Sequence, residues 1–191
     1  MATKRLETKE QIDDFVRGCT FLGTGGGGKP EDGTAELYRI MDLGKTIEWT
    51  DANDISDDEI SVCPFLMGSI APWTADQLEE MRSFGLTKQY HDNLLVKSTE
   101  LLSKYTGKKP TVIVPIELGG ANTPTAVAAA AELGISVVDG DYTGRAIPEI
   151  PQTTPFLHGK NLLPISSWDR WGNVCFIHDA VNPLMAERIG K

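Results

Sequence analysis

The chain has 191 residues, of which 40% are apolar and 24% are charged, a composition that is typical of folded globular proteins and excludes a disordered or fibrous chain. Its length predicts one domain or slightly more than one, with enough buried surface to fold without a disulfide or a metal. The formal net charge of −9 repels phosphate backbones and anionic headgroups, so we predict that it binds neither nucleic acid nor membrane.

Apolar residues at helical spacing predict a first helix over residues 9–17, which runs on towards a glycine-rich stretch at residues 23–28. Pro30 is suited to the first position of a second helix, and Gly44 is suited to end it. The next predicted elements are a strand over residues 46–50, an acidic connector over 51–59, a strand over 60–67 that Pro64 makes an edge strand or a bulged one, and a mainly helical region over 73–106.

The clearest local pattern lies between residues 111 and 138. A strand over residues 111–116 precedes a helix that Thr123 would cap and Gly134 would close, and residues 135–138 then begin a second strand. This order describes a right-handed βαβ unit in a parallel sheet. We therefore predict an α/β fold, a layered sandwich with a mainly parallel sheet and helices on both faces.

The βαβ unit places Glu117 after its first strand and Asp139 after its second. Ligands of open α/β sheets bind at the carboxyl ends of the strands, and the helix beginning at Thr123 would direct its positive N-terminus there. Asp141 shares a face with Asp139 if the chain is extended. Clustered carboxylates suit acid–base catalysis or binding of a divalent metal. Three further polar residues lie close by in sequence: Asn122, Arg145 and Glu149.

A structural interpretation of the same residues remains open. Asp139 and Asp141 could shape a turn through hydrogen bonds to the backbone, while Arg145 and Glu149 form an ion pair.

The glycine stretch satisfies two nucleotide-binding patterns only in part. The P-loop pattern requires Ser or Thr after Lys29, where this chain has Pro30, and the dinucleotide fingerprint requires a preceding strand where a helix is predicted. We therefore expect no nucleotide cofactor. The backbone amides of Gly25, Gly26, Gly27 and Gly28 could still hold a ligand oxygen, and the alternative is a flexible connector.

The three cysteines, Cys19, Cys63 and Cys175, are widely spaced, which disfavours a disulfide framework or a cysteine-based zinc site. Cys63 lies in an apolar run and is predicted to be a core residue rather than a nucleophile. The N-terminus is polar, and no apolar stretch is long enough to span a bilayer, so we expect a cytoplasmic protein.

Three segments together resemble the N-terminal domain of the S-methyl-thiohydantoin desulfurase family. They are LGTGGGG at residues 22–28, ELGGAN at residues 117–122 and VDGDYTGRAIPE at residues 138–149. The resemblance implies an α/β N-terminal domain that is usually followed by a β-rich second domain. Accordingly, residues 1–165 are predicted to form the α/β domain, and residues 166–191 resemble the start of the second.

The resemblance also implies hydrolysis of a thiohydantoin-like cyclic ureide, with zinc as the suspected metal. The first hypothesis is a hydrolase-like domain for a small cyclic amide or thioamide, completed by a second half. We assign catalysis to Glu117, Asp139, Asp141 and Glu149, metal binding to Asp139 and Asp141, and substrate binding to Gly25, Gly26, Gly27, Gly28, Asn122, Thr123 and Arg145. The alternative is a non-catalytic binding or assembly subunit, with an apolar surface around residues 176–189. A homo-oligomer or a partner subunit that supplies the second domain is expected in either case.

Overall fold

The computed structural model describes residues 4–69, 71–91 and 93–191. One sheet contains five strands in the spatial order β1–β2–β5–β4–β3. Strands β2, β5, β4 and β3 run parallel to one another. Its strands are β1 (Lys4–Leu6), β2 (Ile47–Asp51), β3 (Ser61–Val62), β4 (Val112–Ile113) and β5 (Ser136–Asp139). Strand β1 pairs antiparallel with β2 at one edge. The α/β class with a mainly parallel sheet is confirmed.

The described residues also form helices and a separate antiparallel hairpin. The helices are α1 (Lys9–Leu22), α2 (Pro30–Asp42), α3 (Ala75–Ser83), α4 (Leu94–Thr106), α5 (Asn122–Leu133), α6 (Thr154–Leu157) and α7 (Pro183–Gly190). Short 3-10 turns cover Ala52–Asp54 and Ile150–Gln152. The hairpin joins β6 (Ile165–Trp168) to β7 (Val174–Ile177). None of the helices in the described ranges is long and apolar enough to cross a membrane.

The first two helices follow their sequence signals. Helix α1 begins with a capping box, in which Thr8 Oγ1 accepts from the amide of Gln11 while the Gln11 side chain accepts from the Thr8 amide. It extends to Leu22, five residues beyond the predicted end. Helix α2 has Pro30 at its first position, as predicted.

Two predicted strands are much shorter than their apolar runs. The run at 60–67 keeps only the two residues of β3, and the run at 111–116 keeps only the two residues of β4. Pro64 and Pro115 have no N–H to donate, so strand pairing cannot continue through them. Strand β3 lies at the edge of the sheet, which is where a strand containing proline is tolerated.

The prediction that Thr123 caps the βαβ helix is wrong by two residues. Helix α5 begins at Asn122, and its N-cap residue is Ala121, which has no capping side chain. Thr123 Oγ1 instead donates to the carbonyl oxygen of Glu117 at 2.8 Å and accepts from the amide of Gly119 at 3.1 Å. Thr123 therefore fixes the loop that precedes the helix.

Helix α5 forms the centre of the core. Its residues from Asn122 to Ala130 are all buried, and it packs on α2, α4 and the strands of the sheet. A helix buried all round needs small side chains where neighbours approach closely, and the alanines of α5 provide them. The largest side chains in this core with no exposed surface are Ile12, Leu37, Ile40 and Ile113.

The segment at 166–191 packs against the rest of the chain. Ser166 Oγ donates to the carbonyl oxygen of Ser98 in α4 at 2.6 Å. The buried carboxylate of Glu187 in α7 accepts from the amide of Ile150 at 2.9 Å and pairs with Lys191 at 2.6 Å. The predicted boundary between residues 165 and 166 stays a prediction.

Gly33 gives a direct test of the close packing between α2 and α5. A Cβ atom at Gly33 would overlap the carbonyl oxygen of Gly120 and press on Pro124. Glycine to alanine in a helix normally stabilises a protein by about 0.5–1 kcal/mol. We predict that Gly33→Ala instead lowers the free energy of unfolding by about 2 kcal/mol or more, because the backbone must move.

Gly18→Ala is the matched control, because Gly18 is also inside a helix and a Cβ there meets nothing within 4 Å. Urea unfolding should show Gly18→Ala to be as stable as the parent chain or more so. Equal effects of the two substitutions would contradict the packing described here.

Candidate functional site

The carboxyl ends of the parallel strands meet at one edge of the sheet, as the sequence predicts. Strand β4 pairs directly with β5, with Ile113 opposite Val137, and β5 pairs with β2 on its other side. Glu117 follows β4, and Asp139 is the last residue of β5. The predicted βαβ unit and the placement of both carboxylates at this edge are therefore confirmed.

Glu117 is the most buried carboxylate of this edge, with 4% of its surface exposed. Its Oε1 accepts from Asn122 Nδ2 at 2.6 Å, and its Oε2 accepts from the amide of Ile147 at 2.7 Å. Asn122 in turn holds Leu66, accepting from its amide at 2.6 Å and donating to its carbonyl oxygen at 3.3 Å. The Glu117–Asn122 pair joins the segments that follow β3, β4 and β5, so it fixes these three segments relative to one another.

The two aspartates after β5 have different surroundings. Asp139 has an exposed side chain that pairs with Lys4 Nζ at 2.5 Å, and this contact raises the pKa of Lys4. Asp141 is half-buried, and its Oδ1 accepts from the amides of Thr143 and Gly144. Asp141 thus forms the turn of the structural interpretation, whereas Asp139 fastens the first strand to β5.

Arg145 and Glu149 are both exposed. Arg145 Nε donates to the carbonyl oxygen of Ala146 at 3.0 Å, and among the described ion pairs there is none between Arg145 and Glu149. The ion pair of the structural interpretation is therefore not formed in this structure. Both side chains face solvent beside the carboxyl edge, where a ligand or another polypeptide can reach them.

The glycine loop at residues 23–28 is docked onto the N-terminus of α5. The carbonyl oxygen of Gly27 accepts from the amides of Ala121 and Asn122, each at 2.9 Å. Hence two amides of the helix end that the sequence assigns to a substrate oxygen are bonded by the chain itself. A Cβ at Gly27 would overlap Gly119, and one at Gly28 would overlap Ala121.

These contacts divide the four glycines assigned to substrate binding. Gly27 and Gly28 are required for close packing of two backbone segments. A Cβ atom placed at Gly26 would lie only 2.8 Å from Ala146 Cβ. Gly25 is exposed, has a φ of 98°, and has open space beside it. Gly25 is therefore the member of the set whose backbone a ligand can approach.

Two thiols lie beneath this edge, and sequence reasoning gave them no place in the site. Burial raises the pKa of Cys19 to about 11, and Asp141 contributes to the rise while Thr123 opposes it. Burial, followed by the negative charges of Glu117 and Asp141, raises the pKa of Cys63 further. Both thiols are thus protonated at neutral pH, which agrees with the interpretation of Cys63 as a packing residue.

The carboxylates of the edge do not by themselves fit a zinc ion. Zinc in proteins takes three or four nitrogen, sulfur or oxygen ligands. Within residues 4–69, 71–91 and 93–191, no group of three His, Cys, Asp or Glu side chains is placed to hold a metal. Lys4 and the amides of the turn already engage Asp139 and Asp141. The predicted divalent metal stays a prediction that requires ligands beyond these two.

The fold and this edge define the class of protein. It is an α/β domain in which a glycine loop closes the N-terminus of the βαβ helix, and a buried Glu–Asn pair joins the loops after three parallel strands.

The comparison with protein families agrees with the resemblance that the sequence motifs suggested. The family model described as "S-Me-THD-like, N-terminal domain" matches residues 10–179. The chain therefore belongs to this family.

Comparison with solved structures shows the same fold in a second protein. The chain is similar to a protein from Chromobacterium violaceum solved by X-ray crystallography, with a TM-score of 0.67 and 21% sequence identity. The match covers 94% of this chain and 46% of the other, so the chain spans about half the length of that protein. The search of curated proteins finds no match.

Substitution of Glu117 tests its role as a positioning residue. Asn122 and Ile147 each donate to one carboxylate oxygen of Glu117. A glutamine side chain has only one acceptor oxygen, so Glu117→Gln places its NH₂ group against one of these two donors. We predict a loss of about 1–3 kcal/mol in the free energy of unfolding. Glu149→Gln, at an exposed position, should change it by less than about 0.5 kcal/mol. A Glu117→Gln chain as stable as the parent would contradict the assignment.

Thiol alkylation tests the environment of Cys19. Since its pKa rises from 9.0 to about 11, its thiolate fraction at pH 8 falls about 100-fold, and we predict at least that reduction in its rate of alkylation by iodoacetamide. The same residue in the urea-unfolded chain is the reference, and mass spectrometry of the peptides follows each thiol. Equal rates in the folded and unfolded chains would show that Cys19 is not buried as described.

Proposed function

We propose that this chain supplies part of a hydrolase-like site for a small cyclic amide or thioamide of the hydantoin or thiohydantoin kind. The observation that carries the proposal is the setting of Asp141. Its Oδ1 is fixed by the turn at Thr143 and Gly144, while its Oδ2 has none of the described hydrogen bonds. A carboxylate fixed through one oxygen can accept a proton at the other without losing its position.

In this mechanism Asp141 acts as the general base. Its Oδ2 accepts a proton from water as the water oxygen attacks the carbonyl or thiocarbonyl carbon of the ring. The tetrahedral adduct then breaks the ring C–N bond, and Asp141 returns the proton to the leaving nitrogen. The exposed guanidinium of Arg145 and the accessible backbone at Gly25 would hold the substrate and its developing negative charge. Glu117 and Asn122 position the three loops and do not touch the substrate, because their polar atoms are occupied within the chain.

The other predicted site residues have lesser parts in this proposal. Asp139 holds Lys4 at the rim of the site. Glu149 is exposed and follows Arg145 by four residues in the sequence. A divalent cation would polarise the ring carbonyl if further ligands came from a second domain or subunit. The family description and the two-fold greater length of the Chromobacterium violaceum protein support a site completed by additional polypeptide.

Turnover of hydantoin and 2-thiohydantoin tests this function. Asp141→Asn keeps an acceptor oxygen for the turn and removes the base, so we predict a loss of about 100-fold or more in kcat/KM with the fold retained. Asp139→Asn should cost less than about threefold, because Asp139 pairs with a surface lysine.

The assay should be run on the purified chain and on the chain supplemented with a family second domain. Equal losses for both aspartates, together with loss of activity on chelation, would assign them to the predicted cation. Absence of turnover in both preparations would contradict the hydrolase proposal.

An assembly role is the second candidate, and the surface near the C-terminus favours it. Val181 is 95% exposed, and Leu184, Met185 and Ile189 of α7 are each about half exposed. Met185 and Ile189 share one face of the helix because they are four residues apart. A group of exposed apolar side chains is typical of a surface that another polypeptide covers.

Sedimentation experiments distinguish this role. We predict concentration-dependent association that Val181→Asp abolishes. Leu43→Asp is the control, because Leu43 is equally apolar, is 57% exposed and lies at the end of α2. Association that survives Val181→Asp, or a monomer at all concentrations, would contradict the assembly role.

A further inference from the structure

A surface cavity lies on α3, outside the carboxyl edge and the segments that build it. Its volume is about 240 Å³, and it is lined by Leu78, Arg82, Leu86, Thr87, Gln89 and Trp171. Helix α3 and the segment that follows it form most of the wall, and the turn between β6 and β7 adds Trp171. Two segments far apart in sequence therefore meet at this cavity.

Hydrogen bonds fix these two segments to each other. The amide of Tyr90 donates to the carbonyl oxygen of Arg170 at 2.6 Å. Asp169 Oδ1 accepts from the amides of Trp171 and Asn173 at 2.9 and 2.8 Å, which fixes the turn that presents the indole. The cavity is thus formed before a ligand arrives, so binding does not have to order the wall.

The apolar part of the wall suits a flat ring. The indole of Trp171 is supported by Trp73, whose ring meets it edge-on with centroids 6.1 Å apart. Leu78 and Leu86 are half-buried beside it. A flat ring can stack on the indole face and cover the leucines, and aromatic pairs are stabilised beyond the area they bury.

The polar part of the wall suits one negative charge. Arg82 has a single described ion pair, an exposed contact of 3.1 Å to Glu79, and such surface pairs contribute little. A guanidinium has five N–H donors, so most of the hydrogen-bonding capacity of Arg82 remains for a ligand. Thr87 and Gln89 add a hydroxyl and an amide beside it.

We propose that this cavity binds a small planar ring carrying one carboxylate. Trp171, Leu78 and Leu86 hold the ring, and Arg82 holds the carboxylate. Pockets for drug-sized ligands are roughly 300–1,000 Å³, so the ligand here has one or two rings. The proposal does not depend on the hydrolase function, because none of the wall residues takes part in it.

Titration with benzoate, followed by the indole N–H signals of the tryptophans in NMR spectra, tests the site. Trp171→Phe identifies the relevant signal, and Trp49, which stacks on Phe15 within the sheet domain, serves as the internal reference. We expect a saturable shift of the Trp171 signal with a Kd on the order of 1 mM, and no shift of the Trp49 signal.

Benzamide, which has the same shape without the charge, should bind about tenfold more weakly, and Arg82→Gln should weaken benzoate binding about tenfold. Arg17→Gln is the matched control, because Arg17 is an exposed helical arginine with the same one-turn spacing to its carboxylate partner, Asp14. It should leave benzoate binding unchanged.

Three results would overturn the proposal. The first is the absence of a saturable shift at Trp171. The second is equal affinity for benzoate and benzamide, or equal affinity in the parent and Arg82→Gln chains. The third is a Trp171 signal that moves with protein concentration and not with benzoate, which would assign the cavity to contact between two copies of the chain.

Discussion

Two hydrogen bonds from the N-terminus of α5 to the carbonyl oxygen of Gly27 hold the glycine loop, which follows α1, against the βαβ unit. A helix N-terminus leaves backbone amides unsatisfied, and Ala121 has no side chain that could cap them. The glycine loop provides the missing acceptor. Because α5 packs on α1, α2 and three strands, the position of this one carbonyl determines how the helices around the core fit together.

This contact also explains why so many glycines lie in two distant segments. The backbones at Gly27 and Gly119 approach so closely that neither position can have a Cβ, and Gly33 of α2 lies directly against Gly120. The glycines therefore replace side-chain packing with backbone packing. A ligand would have to displace Gly27 to reach the helix end, so only the exposed rim of the loop and the side chains nearby are open to one.

Much of the organisation could be predicted because its signals are local. Pro30 at a helix start, Gly134 at a helix end and the apolar runs flanking the alanine tract predict α2 and the βαβ unit without tertiary information. Pro115 in one of those runs and Pro64 in the earlier run at 60–67 shorten their strands, and this effect depends on which strand neighbours which. The order of elements therefore followed from the sequence more closely than their lengths.

The candidate site could be located from the sequence, but the role of each residue could not. Glu117 and Asp139 had to lie at the carboxyl edge once the strands were parallel. Their partners are distant in sequence: Glu117 binds the amide of Ile147, and Asp139 binds Lys4 in a strand that no pattern predicted. The pattern of Gly25–Gly28 is likewise common to ligand loops and to close backbone packing, and only the position of residues 119–121 distinguishes the two.

Amide hydrogen exchange at Ala121 and Asn122 tests the central claim most directly. If the Gly27 carbonyl caps α5, both amides exchange only through opening of the core, with protection close to that of the buried amides of α5. Their NMR signals should also stay unchanged when phosphate or acetate is added. Rapid exchange of these amides in the folded chain, or anion-dependent shifts confined to them, would contradict the account by showing that the helix end is open to a ligand.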